Sequence, residues 1–271
     1  MSAIKLIKLE ILKYKDNSLV QMLLLFYTLL MPTSIFVLKN FDNIPFIPGK
    51  ENFFTFPLVW EYQAYAGSWL SFLFLGFLGV YLITSEIQFK TMRQNIITGL
   101  TRFDFFKGKI LIALVITLYA TIIFYLSTLL IGILHEGEIN ISHILKDQHY
   151  VILRYFLLTF AYMSFGMLVA FIIRKPALSI FFFFSYILFI EPLFRWWIHL
   201  KYIAQNRSML YYPMNGIEDL APLPFYKYVE NFNKLKNFPI LLSYTEASII
   251  SIISVVIFVS LSYYLFLKRD I

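Results

Sequence analysis

Cysteine is missing from all 271 residues, which excludes disulfides, thiolate metal sites and cysteine nucleophiles. Charge is scarce as well. Asp, Glu, Lys and Arg make up 14% of the chain, where a soluble domain carries about 25%. That is too little to coat a globule of this size in water. Also missing is Gly–x4–Gly–Lys–[Ser/Thr], the loop whose backbone amides and lysine cradle nucleotide phosphates. Gly49-Lys50 stands without the rest of that pattern, so ATP hydrolysis by this route is excluded. No internal repeat or low-complexity linker divides the chain, and it reads as one domain over residues 1–271.

What is present in excess is apolar: 59% of residues are hydrophobic and 20% aromatic. They fall into six stretches, at about 19–38, 64–84, 110–134, 151–173, 177–198 and 248–267. Crossing the ~30 Å hydrocarbon core of a bilayer takes about 20 helical residues, and each stretch is of that order. The fold class expected is an all-α polytopic membrane protein with six transmembrane helices, with membrane lipid as its solvent. The net charge of +7 does not point to nucleic acid, because the basic residues cluster at the ends of the spans.

Their distribution gives an orientation. With the N-terminus in the cytoplasm, the inner side holds Lys5, Lys8, Lys13, Lys15, Lys90, Arg93, Arg102, Lys107, Lys109, Arg174, Lys175, Lys268 and Arg269. The two short outer loops hold Lys39, Lys50 and Lys146. Thirteen against three satisfies the positive-inside rule, in which the long segment from Arg195 to Tyr244 counts little. Both termini are then cytoplasmic. Arg154, at the outer end of span four, can snorkel. The first span is too long for a signal-peptide core and has no small-residue cleavage site after it, so it is expected to be retained.

Residues 3–16 read as an interfacial helix before span one, with Ile4, Ile7, Ile11 and Tyr14 as its apolar stripe beside Lys5, Lys8 and Lys15. Pro32 is a possible kink in span one. Span two carries Gly67, Ser68, Ser71, Gly76 and Gly79. Small residues let a neighbouring helix approach closely, so Gly67, Ser71, Gly76 and Gly79 are candidates for a helix-packing or dimer face. Only Arg174-Lys175-Pro176 separates spans four and five, which predicts a tight hairpin. Phe181–Phe184 then faces lipid or a packing surface. The segment 199–245 is too polar to span yet rich in aromatics and prolines, and is expected to lie half-sunk in the outer leaflet, packed on the bundle.

The cytoplasmic loop 85–109 has its own organisation. Phe89, Met92 and Ile96 fall on one helical face, Gly99 can stop that helix in a left-handed conformation, and Thr101 can cap a second helix leading through Phe105 and Phe106 into span three. Glu86, at the inner end of span two, is expected to pair with a basic residue of this elbow or of the N-terminal helix.

At this loop the chain resembles the permease subunits of type-2 ATP-binding-cassette (ABC) exporters. The residues that carry the resemblance are Glu86, Thr91-Met92-Arg93, Gly99-Leu100-Thr101-Arg102, Phe105-Phe106 and Lys109. Where the family commonly has Gly before the Thr of the first element, this chain has Lys90. The resemblance extends to the layout of an N-terminal interfacial helix, six spans and a structured outer segment between spans five and six. It implies that Glu86, Thr91, Arg93, Gly99, Thr101 and Arg102 form a coupling loop that docks on a separate ABC ATPase subunit. It implies also that ATP and Mg bind in that partner and none in this chain, that the chain pairs with a second copy or a related permease, and that it sits in the bacterial cytoplasmic membrane. The transported substrate is not specified by the resemblance.

Other polar groups are fewer. Glu191 is the one carboxylate inside a span, and Arg195 one turn later makes an ion pair at the outer end of span five the simplest reading. His135, Glu136, Glu138, His143, Asp147 and His149 gather in the outer loop 135–149, but their spacing fits no fixed metal motif, and no metal site is assigned. Asn140 and Asn206 stand in Asn–x–Ser triplets. No span pairs a His with a carboxylate, or a Ser with a Lys, at useful spacing, so no catalytic residue is assigned. An intramembrane hydrolase or acyltransferase would have to rest on His199 and Glu191. That class, with a passive channel or anchor, is the alternative to transport.

Overall fold

The computed structural model describes residues 1–34, 53–135, 148–203, 206–224 and 241–268. The described residues are helical, with no strand among them. Helix α1 covers Ala3–Tyr14 and α2 covers Ser18–Thr33. α3 runs Leu58–Gln88, α4 Thr91–Ile97 and α5 Arg102–His135. α6 runs Gln148–Ile173, α7 Pro176–Ile203, α8 Pro213–Glu218 and α9 Tyr244–Lys268. α3, α5, α6, α7 and α9 are long and apolar enough to cross a membrane. α2 is a 16-residue apolar helix, and residues 35–38 of the expected first span lie outside the described residues.

The long helices overrun the stretches expected from hydropathy. α3 begins six residues before position 64, because Val59, Trp60, Tyr62 and Gln63 are buried against the bundle and the Gln63 side chain donates to the Met31 carbonyl at 2.5 Å. α5 begins eight residues before 110, so the second half of the loop 85–109 is already helix. Its start is set by Thr101, whose Oγ1 accepts from the Asp104 amide at 3.0 Å and satisfies one of the free N–H groups of the first turn. α2 is capped likewise: Asn17 Oδ1 accepts from the amides of Leu19 and Val20, both at 3.1 Å.

α6 is the central helix and packs on α3, α5, α7 and α9. The small residues of α3 make this close approach possible. A Cβ on Gly79 would stand 2.5 Å from the Met163 carbonyl oxygen, and one on Gly166 2.5 Å from that of Gly76. Gly67 lies against Met31 and Tyr155, and Gly76 against Phe183. All these positions are filled from within the chain. Ser71 starts a π-helical turn, Ser71–Gly76, and bonds Tyr155 Oη at 2.9 Å and Thr159 Oγ1 at 3.1 Å. Tyr155 in turn reaches Tyr27 Oη at 2.5 Å and the Gly67 carbonyl at 3.1 Å. This hydroxyl network closes α2, α3 and α6 on one another where unpaired polar groups would be costly.

The turn between α6 and α7 is as short as expected, with Arg174 left-handed at φ 61° and Pro176 opening α7. Of the phenylalanine run, Phe183 is buried against Phe72 and Phe165, while Phe181 and Phe182 are exposed. α7 continues to Ile203, with π-helical turns at Tyr186–Ile190 and Phe194–Ile203. A 3-10 turn, Arg207–Tyr211, and α8 then pack on the bundle through Met209, Leu210, Met214 and Ile217. Residues 225–240 lie outside the described residues.

Candidate functional site

α1 is where the expected pattern fails in detail. Its buried side is Leu6, Glu10 and Tyr14, not Ile4, Ile7 and Ile11; Ile4 and Ile11 are exposed. The register is set by charge: turning Glu10 inward brings its carboxylate to Lys109 of α5. Lys109 Nζ is fully buried and donates to Glu10 Oε2 at 2.6 Å, Glu86 Oε1 at 2.5 Å and Tyr14 Oη at 3.0 Å. Lys13 Nζ bridges the same carboxylates from the rim, at 2.8 Å to Glu10 Oε1 and 3.0 Å to Glu86 Oε1. Two carboxylates thus face two ammonium groups, with no net charge left in the cluster. Burial pushes the Tyr14 phenol up, against the opposing pull of Lys109. It therefore stays protonated and donates to the Leu82 carbonyl at 3.0 Å.

The other oxygen of Glu86 holds α4. Oε2 accepts from Thr91 Oγ1 at 2.6 Å and from Asn95 Nδ2 at 3.3 Å. One carboxylate at the end of α3 therefore binds three elements: α1 through Lys13, α5 through Lys109, and α4 through Thr91 and Asn95. Removing either side of a buried pair leaves an uncompensated charge and costs about 3–5 kcal/mol, so α1, α3 and α5 are held firmly together, while α4 is tied to the same carboxylate by the Thr91 and Asn95 hydrogen bonds.

The turns flanking α4 are both left-handed. Lys90 has φ 57° and Gly99 φ 108°. Lys90 occupies the place where glycine is common in the resembling permeases, and its backbone explains that preference, since a Cβ in this conformation costs roughly 1–2 kcal/mol. Phe89 does not share the face of Met92 and Ile96. It precedes the Lys90 break and is exposed, whereas Met92 is buried. Arg93 and Ile97, four residues apart on one face of α4, are exposed as well, and Arg93 has no hydrogen-bond partner among the described residues. Arg102 instead reaches across to the Leu267 carbonyl of α9 at 2.7 Å.

At the opposite end, Glu191 and Arg195 do not form the expected direct ion pair. Asn215 of α8 stands between them: its amide donates to Glu191 Oε1 at 3.0 Å, and its side-chain oxygen accepts from Arg195. The Pro213 start of α8 aims that amide at α7, and nothing local in the sequence foretells it. His199 bonds Tyr212 Oη at 3.1 Å and Ser208 Oγ at 2.9 Å, partners different from those of Glu191, so the two do not join in one site. Arg154 packs over the Tyr244 ring at 3.5 Å and donates to the Leu220 carbonyl. His135 stacks on Phe54, and Glu136, Glu138, His143 and Asp147 lie outside the described residues.

An apolar helical bundle with five helices long enough to cross a membrane, its N-terminal helix fixed by buried ion pairs to the end of α3 and the start of α5, defines an integral membrane protein. The chain belongs to the ABC-2 transporter family: the family described as ABC-2 family transporter protein matches residues 6–190, which contain the whole Glu10–Glu86–Lys109 cluster. It is an integral membrane protein, the permease subunit of an ABC-2 type transporter, and works with a separate ABC ATPase. No curated protein matches it at a significant level.

Proposed function

We propose that the chain is one permease half of an exporter and that α4 with its flanking turns carries the movement of the ATPase into the spans. The observation that carries this reading is the Glu86 carboxylate, which binds α4, α1 and α5 together at one end of the bundle. A load applied to α4 then moves three elements as a unit. Phe89, Arg93 and Ile97 project from that unit and suit a groove of mixed apolar and acidic character, Arg93 through a bidentate guanidinium. ATP and Mg bind in the ATPase.

The excess of Lys and Arg at this end supports a cytoplasmic location for it, with six spans, both termini inside and the bacterial cytoplasmic membrane as the compartment. A second permease, identical or related, completes the pathway. The glycines of α3 are engaged in-chain, so α3 and α7 would meet the partner through faces they leave uncovered, such as those of Leu73 and Phe189.

The test is Arg93→Glu in the assembled complex. Membrane insertion should be normal while transport and substrate-stimulated ATP hydrolysis are lost. Wild-type rates for both would reduce α4 to a solvated connector. Orientation is read separately from a Lys90→Cys variant, which an impermeant thiol reagent should label only after cells are permeabilised.

A further inference from the structure

At the end of the bundle away from α4, a cavity of about 240 Å³ lies between α3, α6, α7 and α8. Its walls are aromatic and aliphatic, with Trp69 and Phe72 from α3 and Ile187 and Trp196 from α7. Its polar side chains include Tyr65, Ser68, Tyr162, Arg195, Asn215, Glu218 and Asp219. Several of these bond one another or the backbone, although Arg195 Nε is buried with no hydrogen bond among the described residues. Arg195 is held by the Asn215 side-chain oxygen, and Asp219 Oδ2 accepts from Asn215 Nδ2 at 3.1 Å and from the Leu242 amide at 3.0 Å.

Two are left over. Glu218 has no hydrogen-bond or ion-pair partner among the described residues, although it lines the cavity. Tyr162 is 4% exposed and also lines the cavity. Its ring rests on Phe72 at 5.7 Å, while its hydroxyl meets no partner among the described residues. Among the described residues, carboxylates also outnumber cations here: Glu191, Glu218 and Asp219 surround the Arg195 guanidinium. Among the described residues Glu191 Oε2 is buried with no hydrogen bond.

We infer that this cavity binds an amphiphilic organic cation, its ammonium group on the Glu218 carboxylate and the Tyr162 hydroxyl and its apolar part against Trp69 and Trp196. An ammonium donates to both free acceptors and offsets the surplus of carboxylates. The indole faces favour a cation that carries carbon over a hydrated metal ion. Burial pushes the Glu218 carboxyl up to about 7 and that of Asp219 up to about 6, so a cation must displace a proton in mildly acid solution. Affinity should therefore rise with pH across 5.5 to 7.5. The groups that set this response are Glu191 and Arg195 of α7, Tyr162 of α6, Tyr65 of α3, and Glu218 with Asp219.

The test uses the full chain in lipid nanodiscs, titrated calorimetrically with hexylammonium, hexanol and hexanoate, with empty nanodiscs subtracted. No ATP turnover is involved, so the outcome is independent of whether α4 couples. Saturable binding of one hexylammonium per chain is expected, with hexanol at least tenfold weaker and hexanoate silent. Glu218→Gln should weaken hexylammonium at least tenfold and flatten its pH dependence, Glu218→Asp should restore part of the loss, and Tyr162→Phe should weaken it severalfold. The thermal transition of each variant establishes that it is folded. Equal binding of hexanol, indifference to Glu218→Gln in a folded variant, or displacement of hexylammonium by equimolar sodium would each overturn the assignment.

Discussion

Lys109 and Glu10 are 99 positions apart in sequence, yet Nζ of one lies 2.6 Å from Oε2 of the other with the lysine fully buried. The pair fixes the N-terminal helix to the start of α5, and Glu86 shares the same ammonium. Lys109→Met should therefore leave two buried carboxylates with only Lys13 between them and lower stability by about 3–5 kcal/mol. Lys13→Met, at the partly exposed rim, should cost about 1 kcal/mol or less. Thermal unfolding of the two variants in the same lipid checks the ranking, and equal losses would contradict it.

The left-handed turns around α4 give opposite expectations for two substitutions. Lys90→Gly removes a strained Cβ and should stabilise by about 1 kcal/mol. Gly99→Ala should cost about 1 kcal/mol through its backbone alone, because no atom lies within 4 Å of the added carbon. Stability measured on the two single variants decides the signs.

Helix packing separates glycines that look alike. A Cβ on Gly79 meets the Met163 backbone at 2.5 Å, whereas one on Gly108 meets the Glu10 side chain at an ordinary 3.6 Å. Gly79→Ala should force α3 and α6 apart at about 1–3 kcal/mol. Gly108→Ala should be neutral, or gain up to about 1 kcal/mol of helix propensity. Expression and melting of the two proteins would show the contrast.

The carboxylates of the cavity predict a pH response. Glu218 and Asp219 titrate in the folded chain at about 7 and about 6, above their ordinary 4.5 and 3.8, chiefly because they are buried. The folded state thus binds more protons, so their stabilising contribution is complete below about pH 4 and is lost as pH rises through 6 and 7. The melting temperature should fall between pH 5 and 8, and Glu218→Gln should reduce the slope. A rise over that interval would reverse the assignment.

Exposure on α4 separates docking from folding. Arg93 and Ile97 are exposed, and Arg93 makes no hydrogen bond among the described residues, so Ile97→Asp should leave the melting temperature unchanged and weaken association with the ATPase by tenfold or more. A pull-down of the ATPase against the purified variant, beside its melting curve, measures both. Glu86→Ala serves this purpose poorly, because it also strips Lys109 of a buried partner.

Much of this was local and therefore legible in the sequence. Apolar length marked out the long helices, Thr101 announced the start of α5 because its hydroxyl needs only the amide three residues on, and Gly99 announced a left-handed stop because only glycine takes it freely. Glu10 was not legible. A single acid in a basic N-terminal helix looks like a solvated residue until Lys109 arrives opposite it, and that pairing, rather than the isoleucine stripe, chose the buried face of α1. Lys90 hid its left-handed backbone behind a side chain that ordinarily avoids it. Asn215 between Glu191 and Arg195, and the free groups of Tyr162 and Glu218 around one cavity, depend on how α8 folds back over α7 and α6. Sequence alone determined which segments are apolar and long enough to cross a membrane, and the stops and starts at Gly99 and Thr101, because those follow from transfer energy and from bonds a few residues long, whereas packing set the start of α3. Which charges meet inside was decided only by tertiary structure, because the cost of burying an ion depends on a partner that the chain brings from far away.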